Sequence, residues 1–158
     1  MATLNDVLRR RLVAAARAAT AQAYLTREGG TRYGAAVLTR SGTIYSAGQY
    51  SSFNHVTNVH AEQAAILAAT GRGEADILAL AVASSGFGGT AAAGQGLFTT
   101  PCGICRQVMV EHAMRIGHDF DVLMVRRGDD GYERSTAARL LPHAWLSRTA
   151  TAVSGGAR

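Results

Sequence analysis

Apolar residues recur along this 158-residue chain with two periods, and the change of period marks out its elements. From Thr3 to about Tyr24 they fall at helical spacing (Leu4, Val7, Leu8, Leu12, Ala15), with Thr3 as the cap and Arg9, Arg10 and Arg11 on the wet side. Glu28-Gly29-Gly30 breaks this helix. Tyr33–Thr39 and Thr43–Tyr50 read as strands joined by a short turn, Arg40-Ser41-Gly42. A polar loop, Ser51–Asn58, leads into a helix over Ala61–Ala69, stopped near Gly71 and Gly73. Asp76–Ser84 is continuously apolar, the pattern of a strand buried on both faces.

Gly86–Gly96 is loose and rich in glycine and alanine; lacking the Gly-Lys-Ser/Thr ending of a phosphate loop, it reads as a flexible connection or lid. A third helix starts at about Cys102 and passes through Val108, Met109 and Met114. Phe120–Val125 and Tyr132–Ser135 are strands, and a last helix over Ala137–Leu141 is broken by Pro142. The order α-β-β-α-β-α-β-β-α is that of an α/β domain, a mixed sheet covered by helices. Only the six residues Arg126–Gly131 separate the last two strands. A parallel neighbour needs a crossover of about a dozen residues, so these strands are expected to be antiparallel.

Residues 1–158 form one domain, with an N-terminal helix over 1–24 and a frayed tail over 150–158. No apolar run approaches the roughly 20 residues of a membrane span. The first residues lack the basic-then-apolar order of a signal peptide, which points to a cytoplasmic location. The net charge of +5 comes wholly from arginine, since the chain has no lysine. Those arginines are scattered and not interleaved with aromatics, which disfavours a nucleic-acid partner. Two cysteines three apart in a reducing compartment favour metal or redox chemistry over a structural disulfide.

His60-Ala61-Glu62 and Pro101-Cys102-Gly103-Ile104-Cys105-Arg106-Gln107 carry the chemistry. His60, Cys102 and Cys105 are three donors that suit Zn²⁺ and leave a fourth position for water. Cys102 and Cys105 share one helical face, and Pro101 suits a helix start. The positive ends of both helices would favour thiolates. Glu62 is read as a proton shuttle from the activated water to the ring nitrogen and the departing amine. The structural alternative is a closed zinc site whose fourth ligand is Glu62 or a residue outside these motifs.

His-x-Glu followed by Pro-Cys-x-x-Cys is the signature of zinc deaminases. From about Gly34 to Trp145 the chain resembles the cytidine deaminase family. Gly34-Ala35-Ala36 with Ser41-Gly42 is similar to its first hairpin, His60-Ala61-Glu62-Gln63 to its His-Ala-Glu form, and Leu140-Leu141-Pro142-His143-Ala144-Trp145 to its C-terminal segment. The resemblance implies a three-layer α-β-α sandwich with a five-stranded mixed sheet. It also implies Zn²⁺ as cofactor, a small pyrimidine-like substrate in nucleobase or nucleoside salvage, and base contacts from the Ala61 amide and Thr100 carbonyl. The aromatic matching Trp145 enters the neighbouring subunit's active site in the family, implying a homotetramer, or at least a homodimer; a core tryptophan is the structural alternative. The antiparallel last pair fits the nucleoside branch. Family members with cysteine at the position of His60 follow it with Ala-Glu-Arg. Here two thiolates and a neutral His60 balance Zn²⁺, and Gln63 needs no charge.

Two departures bear on substrate. The family reads ribose with an Asn-x-Glu segment, which falls here on Gln49-Tyr50-Ser51. Thr31 stands where the family has phenylalanine, with Tyr33 available to compensate. Either ribose is held differently, as in a cytidine, deoxycytidine or cytosine-nucleoside-antibiotic deaminase, or the substrate is a free pyrimidine-like or triazine-like base. The second reading is preferred, with Gln49, Tyr50, Phe53 and Asn54 as pocket wall. Tyr50 and Phe53 as core aromatics are the bland alternative. His55 reads as a loop residue, His112 as helix surface and His118 as a turn residue. Outside the enzyme class, the chain would be a nucleic-acid editor or a zinc-stabilised binding protein.

Overall fold

The computed structural model describes residues 4–85 and 98–146. Helix α1 (Asp6–Ala19) and a 3₁₀ turn (Thr20–Gln22) precede the hairpin β1 (Tyr33–Thr39) and β2 (Ile44–Gly48). Then follow α2 (Ala61–Thr70), β3 (Ile77–Ser84), α3 (Gly103–Ile116), β4 (Asp121–Val125), β5 (Tyr132–Thr136) and the short α4 (Ala137–Leu140). The five strands form one sheet in the order β2-β1-β3-β4-β5. Only β3 and β4 are parallel. The last pair is antiparallel, Leu123 facing Arg134, as the short connection requires.

Successive strand residues point to opposite faces, and the chain places small or aliphatic side chains on both. Ala35 and Val37, Leu80 and Val82, and Val122 and Met124 meet α2 and α3 in one core. The alternating residues Ala36 and Leu38, Ala79, Ala81 and Ala83, and Leu123 and Val125 meet Leu12, Val13 and Ala16 of α1 in the other. The result is a helix-sheet-helix sandwich with two cores. Alanine is frequent on the α1 side because that helix lies very close to the sheet. A Cβ on Gly34 would sit 2.5 Å from the Ala16 carbonyl oxygen, so only glycine fits there.

The start of α1 differs from the sequence reading. Asn5 caps it, its Oδ1 accepting the Leu8 N–H at 2.9 Å; Thr3 lies outside the described residues. The helix ends at Ala19, before the 3₁₀ turn, and does not run on to Tyr24. The Gly86–Gly96 connection and the 150–158 tail also lie outside the described residues. His112 is a second correction. It is buried, not at the helix surface, with Nε2 2.7 Å from the Ala75 carbonyl oxygen and its ring edge-on to Phe120.

Candidate active site

Two helices begin at the same place. His60 is the N-cap of α2 and Cys102 the N-cap of α3, both extended, with φ/ψ of −74/152 and −72/172 degrees. Both donors therefore sit just ahead of a helix, where the N–H groups are unpaired and the dipole favours negative charge. Gln63 helps set His60, its Oε1 accepting the His60 N–H at 3.0 Å. The approach to Cys102 is fastened by β-like contacts. Thr99 N–H donates to the Val125 carbonyl at 2.9 Å, and the buried hydroxyls of Ser84 and Thr99 pair at 2.9 Å. These tie residues 98–100 to the ends of β3 and β4.

His60 Nδ1 lies 3.3 Å from Cys102 Sγ and 3.3 Å from Cys105 Sγ, and the sulfurs are 3.6 Å apart. Tetrahedral Zn²⁺ with Zn–N of about 2.0 Å and Zn–S of about 2.3 Å has N–S edges of about 3.5 Å and an S–S edge of about 3.8 Å. The observed triangle has that shape and nearly that size, so these residues fit the ion. Cys105 is fully buried and forms the back of the site, while Cys102 is exposed. Burial pushes the Cys105 thiol well above its ordinary range, and the neighbouring Glu62 carboxylate adds to the effect. Thiolate ligation at Cys105 is thus tied to the arrival of a cation.

Glu62 is in the first turn of α2 and only 5% exposed. It belongs to the buried stripe of that helix with Ala65, Ile66 and Ala69, a carboxylate among apolar residues at core-facing positions. Burial raises its pKa, against which its own backbone N–H, His60 and Cys105 act in the opposite direction.

A cavity of about 280 Å³ opens over this group. Of the residues singled out from sequence, Gln49, Tyr50, Ser51, His60, Ala61, Glu62, Thr100 and Cys102 line it. Phe53, Asn54 and Trp145 do not. Phe53 is 88% exposed. The Asn54 side-chain Oδ1 is used inside its own loop, accepting from the N–H groups of Val56 and Thr57 at 3.0 and 3.1 Å. Trp145 is 74% exposed, which excludes a core role within the chain, and its carbonyl accepts from Gln107 Nε2 at 2.6 Å. Tyr50 is no core residue either: half exposed, it stacks on Tyr24 with centroids 5.6 Å apart.

Tyr33, Asn58, Val59 and Val82 line the cavity and were not singled out, apart from the mention of Tyr33 as a compensating aromatic. Strand alternation carried a usable signal, since Tyr33 shares a face with Ala35 and Val37, and that face packs against α2.

The wall of the cavity is a small ladder. Gln49-Tyr50-Ser51 is hydrogen-bonded to Tyr24 on one side and to Val59 on the other. Within it, Gln49 Oε1 accepts the Tyr33 N–H at 2.9 Å and Gln49 Nε2 donates to Ser51 Oγ at 3.2 Å.

Residues 8–116 match the family model of the cytidine and deoxycytidylate deaminase zinc-binding region. The chain belongs to this family. It is 26% identical to the cytidine deaminase of Burkholderia pseudomallei, with a TM-score of 0.69 over 90% of this chain and 100% of that one. Cytidine deaminase from Mycobacterium tuberculosis is also 26% identical, with a TM-score of 0.66 over 91% and 100% of the two chains. The Mycobacterium leprae enzyme, 22% identical with a TM-score of 0.59 over 89% and 100%, shares the fold. As a member of this family the protein is a zinc-dependent aminohydrolase, and zinc is its cofactor. No helix among the described residues is long and apolar enough to cross a membrane.

Proposed function

We propose that the protein hydrolyses the exocyclic amine of a small cytosine-like ring, and that the ring enters as a free base or an azapyrimidine or triazine without a sugar. The observation that carries this reading is the pairing of Gln49 with Ser51. A carboxylate that would accept sugar hydroxyl protons is replaced by a hydroxyl already engaged by the Gln49 amide, and the other end of that amide is engaged by the Tyr33 N–H. A nucleoside would have to break these bonds, at about 1 kcal/mol each, or leave its own hydroxyls unpaired against them. Sites that read a hydroxyl discriminate by large factors, and this wall offers no free carboxylate to read one. The cavity volume of about 280 Å³ lies just below the usual small-molecule range of about 300–1,000 Å³, which suits a single ring.

In this reading His60, Cys102 and Cys105 hold the metal and Glu62 handles protons. The chemistry the ion supplies when bound is acidification of a water, to a pKa of about 7. Glu62, buried at the cavity wall, would accept that water's proton and deliver it to the ring nitrogen, then take the proton of the new C–OH and deliver it to the amine. The new C–O bond forms at the amino-bearing carbon, the C–N bond breaks, and ammonia leaves. The Ala61 N–H and Thr100 carbonyl orient the ring, with Gln49, Tyr50 and Tyr33 as its side wall. Trp145, exposed beside α3, is assigned to the cavity of a neighbouring copy in a homotetramer. A cytoplasmic role in base salvage accompanies the reading.

Deamination of cytidine itself is the second reading, favoured by the similarity to two cytidine deaminases of known structure. Ammonia release measured with cytosine, azacytosine, aminotriazines, cytidine, deoxycytidine and guanine separates the two, with Glu62→Ala as control. Release from the sugarless rings by the wild type and not by the variant supports the proposal. Equal inertness of both proteins on every ring contradicts it.

A further inference from the structure

We propose that Arg106 is a positioning residue that sets Cys102 for metal ligation and couples that setting to the C-terminal segment. The inference rests on zinc at His60, Cys102 and Cys105, and not on the identity of the substrate.

Cys102 is the N-cap of α3: its carbonyl takes the first rung of the helix ladder, from the Arg106 backbone N–H at 3.0 Å, while the extended peptide that precedes it lies outside that ladder. The Arg106 side chain holds that preceding peptide. Its Nε–H donates to the Pro101 carbonyl at 2.9 Å. The peptide between Pro101 and Cys102 is planar and Pro101 has a fixed φ, so pinning the Pro101 carbonyl orients the plane from which Cys102 departs. The helix ladder thus fixes the carbonyl side of Cys102, and the Arg106 guanidinium fixes the amide side.

The guanidinium reaches further. Its Nη1 donates to the Leu140 carbonyl at 3.3 Å, the last residue of α4. The last carbonyls of a helix have no intrahelical partner, so this one takes the bond. The rigid fork of an arginine serves two carbonyls at once, which a lysine amine on a flexible stem does not. Metal loop, α3 and α4 are thus joined through one side chain.

The next residue supplies the control. Gln107 Nε2 donates to the Trp145 carbonyl at 2.6 Å and to Glu111 Oε1 at 2.8 Å. It fastens the same C-terminal segment to α3 without touching the Pro101–Cys102 peptide. If Arg106 acted only by docking that segment, Gln107 would share its effect.

The test is the rate of zinc release from the zinc-loaded full chain into excess chromogenic chelator, for wild type, Arg106→Gln, Arg106→Lys and Gln107→Ala. Partners of metal ligands are worth about 10–100-fold in metal affinity, so Arg106→Gln is expected to release zinc at least about tenfold faster. Arg106→Lys is expected to be intermediate, and Gln107→Ala to stay within about twofold of wild type, since its bonds lie outside the ligand's surroundings. Wild-type release from both Arg106 variants overturns the inference. So does release from Gln107→Ala as fast as from Arg106→Gln. Should Arg106→Gln not fold, the order of Arg106→Lys and Gln107→Ala decides by the same criterion. A wild-type protein that takes up no zinc fails the metal reading itself and this inference with it.

Discussion

His60 Nδ1 lies 3.3 Å from Cys105 Sγ, although 45 residues separate them in the chain. The contact exists because α2 and α3 both start at one end of the sheet and each carries a ligand at its first turn. With Cys102 it makes a three-donor face in front of a cavity whose wall holds a buried carboxylate.

Removing the metal tests that face. A buried, protonated Cys105 leaves the triangle without its cation, so chelation is expected to abolish ammonia release and to lower the melting temperature. Zinc added back is expected to restore both, because ligand binding to the native state is folding free energy. Scanning calorimetry with and without chelator checks this; an unchanged melting temperature would argue against a tightly held ion.

Glu62→Gln keeps the shape of the side chain and removes its proton chemistry. General acid-base groups contribute about 10²–10⁴-fold, so kcat is expected to fall by at least about a hundredfold with zinc content unchanged. Steady-state kinetics beside metal analysis makes the measurement. Loss of zinc in this variant would instead make Glu62 a ligand.

Asp76 links three turns far from the site, bonding Arg40 Nε at 2.7 Å and His118 Nε2 at 2.7 Å. The hydrogen bond from Arg40, then that from His118, hold its carboxyl below the ordinary value of 3.8, partly offset by desolvation. A depressed folded-state pKa stabilises the protein above the unfolded pKa, and that stability is lost as pH falls through the folded value. Asp76→Asn is therefore expected to melt lower than wild type near neutral pH, with the gap closing below about pH 4. Melting curves from pH 7 to 3 decide it; a constant gap would exclude the linkage.

Trp145 is exposed in the single chain and does not line its cavity. Placed in a neighbour's site, it would contribute to substrate binding and not to metal binding. Trp145→Ala is expected to raise KM several-fold with zinc retained. Mixing it with Glu62→Gln is expected to return part of the activity through hybrid sites. Unchanged kinetics would remove Trp145 from the site.

The sheet was readable in sequence because strand alternation and turn length are local. Tyr33–Thr39 reads directly as β1, and the six-residue Arg126–Gly131 connection dictates an antiparallel last pair. The three donors that converge at the site were readable for a similar reason, each lying within a short motif beside a helix start. Loop direction was not. Asn54 and Asn58 bend 51–58 back on itself, Asn58 Oδ1 accepting the Ser52 N–H at 2.7 Å, and so turn Phe53 out to solvent. Such side-chain-to-backbone bonds compete among several nearby donors, and composition alone does not choose between them. At α1 two good caps stood two residues apart, and Asn5, backed by Asp6 in the first turn, took the role expected of Thr3.

The substrate reading turns on the bond between Gln49 and Ser51, and one ratio tests it most directly. For the zinc-loaded protein, kcat/KM is measured for the preferred sugarless aminopyrimidine or aminotriazine and for cytidine under the same conditions. A wall closed on itself predicts a preference of about five- to thirtyfold for the free ring, the cost of breaking one to two hydrogen bonds. Preference for cytidine by the same factor would contradict the account and place the sugar in this cavity after all.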